Sequence, residues 1–373
     1  MSETLENQEA ILRTCSYHRR IYYFPLLQTN PRKAPDTLFK CSLTTSSSLA
    51  PQTTNDTASI YKLPPEVISD IVLLLDVKSF HNFRDTSHQL RCIANGIPQY
   101  RHVAQHGFEG IKALARTGLS PHVTYDNLYR VLNTEKCTMC GEFGSLLFLP
   151  TCTRCCYNCL REESELAVVE NHHVYHLGIL LDHIMDGDIP SRTDCRILTM
   201  QNWANPMMMR KDTAGILATD IPRRIRLLAH IEGNRRVDLH KGWLHYRSAA
   251  CIAYPTPNWW KMKVERGVSC KGCEKAFVSG RFGAMSQGFA LSDIPRNCVE
   301  RDMSFSVAGF QRHFESCEHA TKILEASEHG SKDTNDSKTI KNGGRLIGRP
   351  EMCEYTTWHQ FEFNAWVERV DGL

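Results

Sequence analysis

The chain lacks what would mark it for nucleic acid, for a membrane or for a familiar catalytic fold. Its charge is almost balanced, 44 Lys and Arg against 41 Asp and Glu, a net +3 over 373 residues. That leaves no basic excess of the kind that drives non-specific binding to a phosphate backbone, so nucleic acid is not an expected partner. No apolar run approaches the ~20 residues that a bilayer-spanning helix needs. The opening MSETLENQEAILRTC carries acids early and has no apolar signal core, so secretion is not expected. Phosphate loop, hydrolase elbow and dinucleotide fingerprint are all missing, and no internal repeat is present. A non-enzymatic protein of the cytoplasm or nucleus is the expectation.

What the chain does have is cysteine, sixteen in all. In a reducing compartment that number favours metal sites over disulfides. Six of them crowd into CTMCGEFGSLLFLPTCTRCCYNCL, Cys137 to Leu160. Cys137 and Cys140 precede a glycine, the spelling of a zinc knuckle: two thiolates at i and i+3 clasp one ion while Gly141 permits the tight turn. SLLFL reads as a short strand closed by Pro150. Cys156 and Cys159 then open an apparent helix, LREESELAVVE. Knuckle, strand and helix-start pair together describe a treble-clef arrangement with Cys137, Cys140, Cys156 and Cys159 as ligands. Cys152 and Cys155 form a competing pair only a few residues away, and mixed sets stay open. A cross-braced two-ion RING fails on ligand count, since only His172, His173 and His176 lie close behind, and they read as the edge of a helix. No Cys/His/Asn pattern points to a nucleophilic thiol.

A second set lies nearer the C-terminal end. Cys270 and Cys273 make another knuckle, and His313 and Cys317, four apart, are placed on one helix face toward the same ion. Three thiolates and one imidazole are a closed structural zinc set. Cys15, Cys41, Cys92, Cys195, Cys251, Cys298 and Cys353 read as free thiols, several of them buried.

Around these sites the fold class expected is mainly α, with small irregular β and zinc-knuckle elements. Residues 1–60 read as a tail rich in Ser, Thr, Pro and Asn, and 328–350 as a flexible linker. Residues 351–373 form an aromatic segment with Trp358, Phe361, Phe363 and Trp366, expected to pack back on the body. In Pro64 to Leu75, Val67, Ile68, Ile71, Leu74 and Leu75 recur at helical spacing, behind two prolines that suit a first turn.

The segment LPPEVISDIVLLLDVKSFHNFRDTSHQLRCI, Leu63 to Ile93, resembles the F-box motif. The match lies in Leu63, Pro64, Pro65 and Glu66, then Ile68, Ile71, Leu75, Asp76, Phe80, Phe83 and Ser87. Leu90 departs from it, standing where many members carry a large aromatic. From residue 60 to about 325 the chain resembles fungal F-box proteins with cysteine-rich bodies. The resemblance implies a three-helix module over 61–107 that docks on the Skp adaptor of a cullin–RING ubiquitin ligase, followed by a zinc-stapled body over 108–327. Leu63, Pro64, Pro65, Glu66, Ile68, Ile71, Leu75, Phe80 and Phe83 would be its adaptor-binding residues. The function implied is that of a substrate receptor in an SCF-type ligase, joined to adaptor and cullin and holding an unidentified protein target. The competing expectation is a zinc-dependent nucleic-acid-binding or regulatory protein, with the LPPE helix as ordinary core.

Overall fold

A computed structural model describes residues 2–22, 26–27, 59–170, 197–200, 213–217, 244–258, 263–285, 300–332 and 336–344. It is mainly helical with small antiparallel sheets, as expected. The aromatic segment 351–373 and His172, His173 and His176 lie outside the described residues, as do Cys41, Cys195, Cys298 and Cys353.

The N-terminal residues are no mere tail, contrary to expectation. Residues Ser2–Cys15 form helix α1 and Ser16–Tyr17 a two-residue strand, β1. Tyr22, Leu26 and Leu27 are buried in the main core. Sequence composition pointed elsewhere because the Ser/Thr/Pro-rich stretch starts only after this anchored part.

Six helices come next in quick succession: α2 (Pro65–Leu73), α3 (Val77–Thr86), α4 (His88–Gly96), α5 (Pro98–His106), α6 (Phe108–Thr117) and α7 (Tyr125–Leu132). Their starts are written locally. Asp76 accepts from the Ser79 amide at 2.9 Å, and Ser87 from that of Leu90 at 3.1 Å. Thr124 and Asn127 form a capping box, while Pro65 and Pro98 open helices whose first amides need no partner. Inside, Phe80 packs on Tyr100 at 4.9 Å and on Tyr125 at 4.2 Å, and His81 Nε2 meets the Tyr125 hydroxyl at 2.7 Å.

The core does not break at residue 107. One cluster runs from Ile68 and Phe80 through Leu128 to Leu146, Leu160 and Tyr254. A Cβ at Gly107 would fall 2.3 Å from the Tyr254 hydroxyl, so the 107–108 junction is pressed onto the body. The helices of 61–107 thus share one interior with α6, α7 and the first cysteine-rich region.

Strands β2 (Leu146–Phe148) and β3 (Thr153–Cys155) form a hairpin that leads into helix α8 (Tyr157–Glu162). That helix is shorter than LREESELAVVE suggested. Its chain turns through Ser164–Leu166 and becomes strand β4 (Val168–Glu170), which pairs with β6 (Thr213–Leu217), itself flanked by β5 (Ile197–Met200). The reason lies in Arg247, on helix α9 (Leu244–Ala249), which donates to the carbonyls of Leu160, Arg161 and Glu163 at 2.8–3.0 Å. Carbonyls capped in this way have no further helix to feed. Strand β7 (Cys251–Ala253) then lies against β2, and β8 (Thr256–Asn258) pairs with β9 (Lys263–Glu265).

Strand β10 (Ser269–Cys270) pairs with β1 and runs straight into helix α10 (Lys271–Met285). Helices α11 (Val307–Ser316) and α12 (Glu318–Ala326) complete this part, with α1 packed against both. The expected linker is likewise corrected. Within it, α13 (Lys338–Lys341) is capped by Ser337 and buries Ile340, and the Gly343 carbonyl accepts from the Arg20 and Ile21 amides at 2.9 and 3.0 Å. A polar composition hid this docking, which depends on backbone groups that every residue carries. Among the described residues no helix is long and apolar enough to cross a membrane.

Candidate metal centres

Cys137, Cys140, Cys156 and Cys159 converge, with every ligand atom within 4.8 Å of the others. The local chain explains why. The Gly141 amide bonds back to the Cys137 carbonyl at 2.9 Å, and the left-handed Gly141 (φ 76°) turns the chain away. The β2–β3 hairpin then returns it, and the Thr138 amide bonds to the Arg154 carbonyl at 2.9 Å, holding knuckle against hairpin. Cys156 caps α8 and receives the Cys159 amide at 3.4 Å, so both thiols of the second pair point back at the knuckle.

The competing pair is placed elsewhere. Cys152 sits in the hairpin turn with φ 50°, buried, its thiol pushed up to about 12 by desolvation. Cys155 is fully buried, with its thiol hydrogen-bonded to Cys251 and raised well above the ordinary value. Position along the chain decides between the pairs, because Cys152 lies in the hairpin turn and Cys155 is buried at the end of β3, while Cys156 caps the helix that carries Cys159.

Distances distinguish metal site from disulfide. Cys140 and Cys156 sulfurs are 3.7 Å apart, far beyond the ~2.05 Å of a disulfide. Metal–sulfur bonds of about 2.3 Å in a tetrahedron give sulfur–sulfur edges of about 3.8 Å. The geometry fits an ion. Hydrogen bonding from Cys156 holds the Cys137 thiol well below its ordinary value, against the opposing effect of burial. Cys156 is pushed up, first by that same hydrogen bond.

Cys270, Cys273, His313 and Cys317 form the second group, likewise within 4.8 Å. Cys270–Cys317 and Cys273–Cys317 are 3.8 and 3.9 Å, again tetrahedral edges, and His313 Nε2 lies 3.4 Å from the Cys273 sulfur. One expectation is modified. His313 and Cys317 do not ride a single helix, since α11 stops at Ser316 and Cys317 (φ −99°, ψ 91°) is the junction to α12. The bend brings the Cys317 sulfur beside the strand-to-helix corner that carries Cys270 and Cys273. That corner must come close: a Cβ on Gly272 would lie 2.5 Å from the Ala320 amide.

Beside this site is a buried charge network that sequence reading missed. Arg19 contacts Glu274 at 2.6 Å and Asp302 at 3.4 Å, and Arg301 contacts the same two carboxylates at 3.1 and 2.9 Å. All four side chains are at most 1% exposed. Burial alone would raise the Glu274 carboxyl, but Arg19 and Arg301 hold it below its ordinary value. Tyr17 donates to Glu274 at 2.8 Å. Two cations against two anions leave no net buried charge, and their mutual contacts offset the desolvation of each ion. Arg301 and Asp302 are neighbours, but Arg19 lies 255 positions before Glu274, so no local pattern could have announced the network. Arg154 is hidden for the same reason. It is buried and donates to oxygens of Leu132, Thr134, Tyr254, Pro255 and Thr256, and desolvation lowers its pKa to about 10.

The residues expected to bind an adaptor divide. Leu63 and Ile71 are exposed, at 39 and 44%, and with Val67 and Leu74, at 41 and 79%, they make an apolar stripe along α2. Pro64 and Glu66 are exposed beside it, and Leu75 and Phe83 are half-buried. Ile68 and Phe80 are 3 and 0% exposed, packed into the chain's own core. These two cannot touch a partner on an intact fold. Pro65 opens the helix, and Cys92 is exposed on α4. Comparison of the chain with family models, curated proteins and solved structures gave no match, so its reading rests on its own residues and their geometry.

Proposed function

We propose that the chain is a non-catalytic substrate receptor of an SCF-type ubiquitin ligase, with α2 offered to the Skp adaptor and a zinc-stapled body available to a protein target. The carrying observation is the α2 stripe of Leu63, Val67, Ile71 and Leu74. A small helical face that leaves four large apolar side chains in water has a reason to be covered. It lies in the segment that resembles the F-box motif. Zinc suits both cysteine sites: thiolate-rich tetrahedral sets favour it, and four protein ligands leave no open position for water or substrate. Zinc in such sets contributes folding free energy. The receptor's contribution would be proximity, raising the effective concentration of target lysines near the charged enzyme. No disulfide is present among the described cysteines, in keeping with a reducing cytoplasm or nucleus.

The test is co-purification of the full chain with the Skp adaptor, comparing wild type with Val67→Asp/Ile71→Asp. Both positions are exposed, so the fold tolerates the change while the face does not. Adaptor binding should fall at least tenfold, and the cullin should be lost with it. No adaptor binding by wild type overturns the receptor reading and leaves a zinc-dependent regulatory protein, and binding undiminished in the variant overturns the role given to the α2 face. Ile68 is the wrong residue to change, because its loss would damage the core whatever the partner.

A further inference from the structure

The two cysteine sites lie 111 positions apart in chain order, counted from Cys159 to Cys270, yet they touch through shared side chains. Phe143, three residues beyond Cys140, lays its ring on Gly267: a Cβ there would stand 2.6 Å from Phe143 Cε1 and 3.1 Å from the Phe305 carbonyl. Gly267 (φ 76°) immediately precedes Val268, which exchanges both backbone hydrogen bonds with Phe305 at 2.9 and 2.8 Å. The Phe305 ring in turn stacks on His313 at 4.5 Å, 19° from parallel. From the knuckle turn of one site to the imidazole of the other there is thus unbroken packing.

A second connection runs through the N-terminal residues. Ser16 pairs with Cys270, and the Cys15 thiol donates to the Ala320 carbonyl at 3.4 Å, beside Cys317. A few residues on, Tyr22 stacks on Tyr157 at 5.9 Å, next to Cys156, and its hydroxyl meets Ser304 at 3.4 Å. The Leu27 amide bonds to the Cys251 carbonyl at 2.9 Å, on the strand beside β2. The same strap therefore braces both sites.

We infer that metal binding at the Cys137/Cys140/Cys156/Cys159 site and at the Cys270/Cys273/His313/Cys317 site is thermodynamically coupled through the Phe143–Gly267–Phe305–His313 contact and the N-terminal strap. A thiolate site is rarely preformed without its ion, so the first ion must order its own ligands and the elements packed on them. Those elements are shared. The second ion meets them already ordered and binds tighter, and the gain is reciprocal. The inference rests on both clusters being metal sites, independently of any ubiquitin role.

The experiment is zinc titration of the full chain against a competing chelator, with bound ions counted by native mass spectrometry. Cys270→Ser/Cys273→Ser reports the first site alone, and Cys137→Ser/Cys140→Ser the second alone. The wild-type two-ion affinity divided by the product of the single-site affinities is the coupling factor, expected at about tenfold or more. A factor of one overturns the inference while keeping both sites. Fewer than two zinc ions on the wild type overturns the metal reading itself. Phe143→Ala retains all eight ligands and should still bind two ions, with a smaller coupling factor than wild type. This variant also covers the case in which a single-site chain binds nothing: an unchanged two-ion affinity in Phe143→Ala then overturns the coupling, and a lowered one supports it.

Discussion

At the scale of single residues, the decisive ones are polar groups with no escape from the interior. His81 is held neutral, its pKa pushed down to about 3 chiefly by burial and further by the Arg84 guanidinium. The unfolded chain binds that proton near the ordinary value of about 6.5. Stability from neutral His81 is therefore complete above that pH and declines as pH falls toward 3, by up to about 1.4 kcal/mol per unit. His81→Gln keeps a partner for the Tyr125 hydroxyl and removes the titration. Urea unfolding at pH 7 and pH 5 should show wild type losing about 2 kcal/mol more than the variant. Equal losses would refute the neutral buried ring. No sequence cue marked His81, because burial of a histidine depends on aromatic neighbours contributed by three separate helices.

At the scale of elements, legibility followed locality. The helix starts at Asp76, Ser87 and Thr124, the prolines at 65 and 98, and the CxxC turns were all written within a few residues of where they act. The CxxC pairs of both clusters were readable for that reason, and the structure brings together the preferred Cys156 and Cys159 with Cys137 and Cys140. What could not be read was termination by distant groups. Arg247 ends α8 from 87 residues away along the chain, and the α11–α12 bend puts Cys317 at a corner where a continuous helix was expected. Gly272 shows how little room that corner has. Gly272→Ala forces a methyl against the Ala320 backbone, an overpacking cost of about 1–3 kcal/mol. Zinc affinity at the second site should drop measurably while the first site still fills, as chelator competition would reveal. Unaltered affinity at the second site would mean that the α10–α12 approach is looser than the geometry indicates.

At the scale of the whole molecule, expectation and structure part most clearly at the two ends. Composition suggested a tail and a linker, yet Arg19 sits in a fully buried ion network and Gly343 accepts two amides from Arg20 and Ile21. Long-range pairing of this kind leaves no periodicity to detect. Removing one member of a buried, balanced charge network leaves the others unpaired at a cost of about 3–5 kcal/mol. Arg19→Met should therefore loosen α1 and β1 from the second site, and limited proteolysis should cut the variant within residues 2–22 under conditions that spare wild type. Equal resistance of the two proteins would show that the network is not what holds the strap. The N-terminal part is built as a component of the C-terminal one.

That closure sets a schedule for synthesis. The amide of Arg20 leaves the ribosome early, but its acceptor at Gly343 emerges 323 residues later, a delay of roughly tens of seconds at ordinary elongation rates. For most of that interval Tyr17 and Arg19 lack Glu274 and Asp302, while the helices from Pro65 to Leu132 can already fold on one another. The nascent chain should therefore carry an unsettled leading segment ahead of a helical middle until the last third of the chain has emerged.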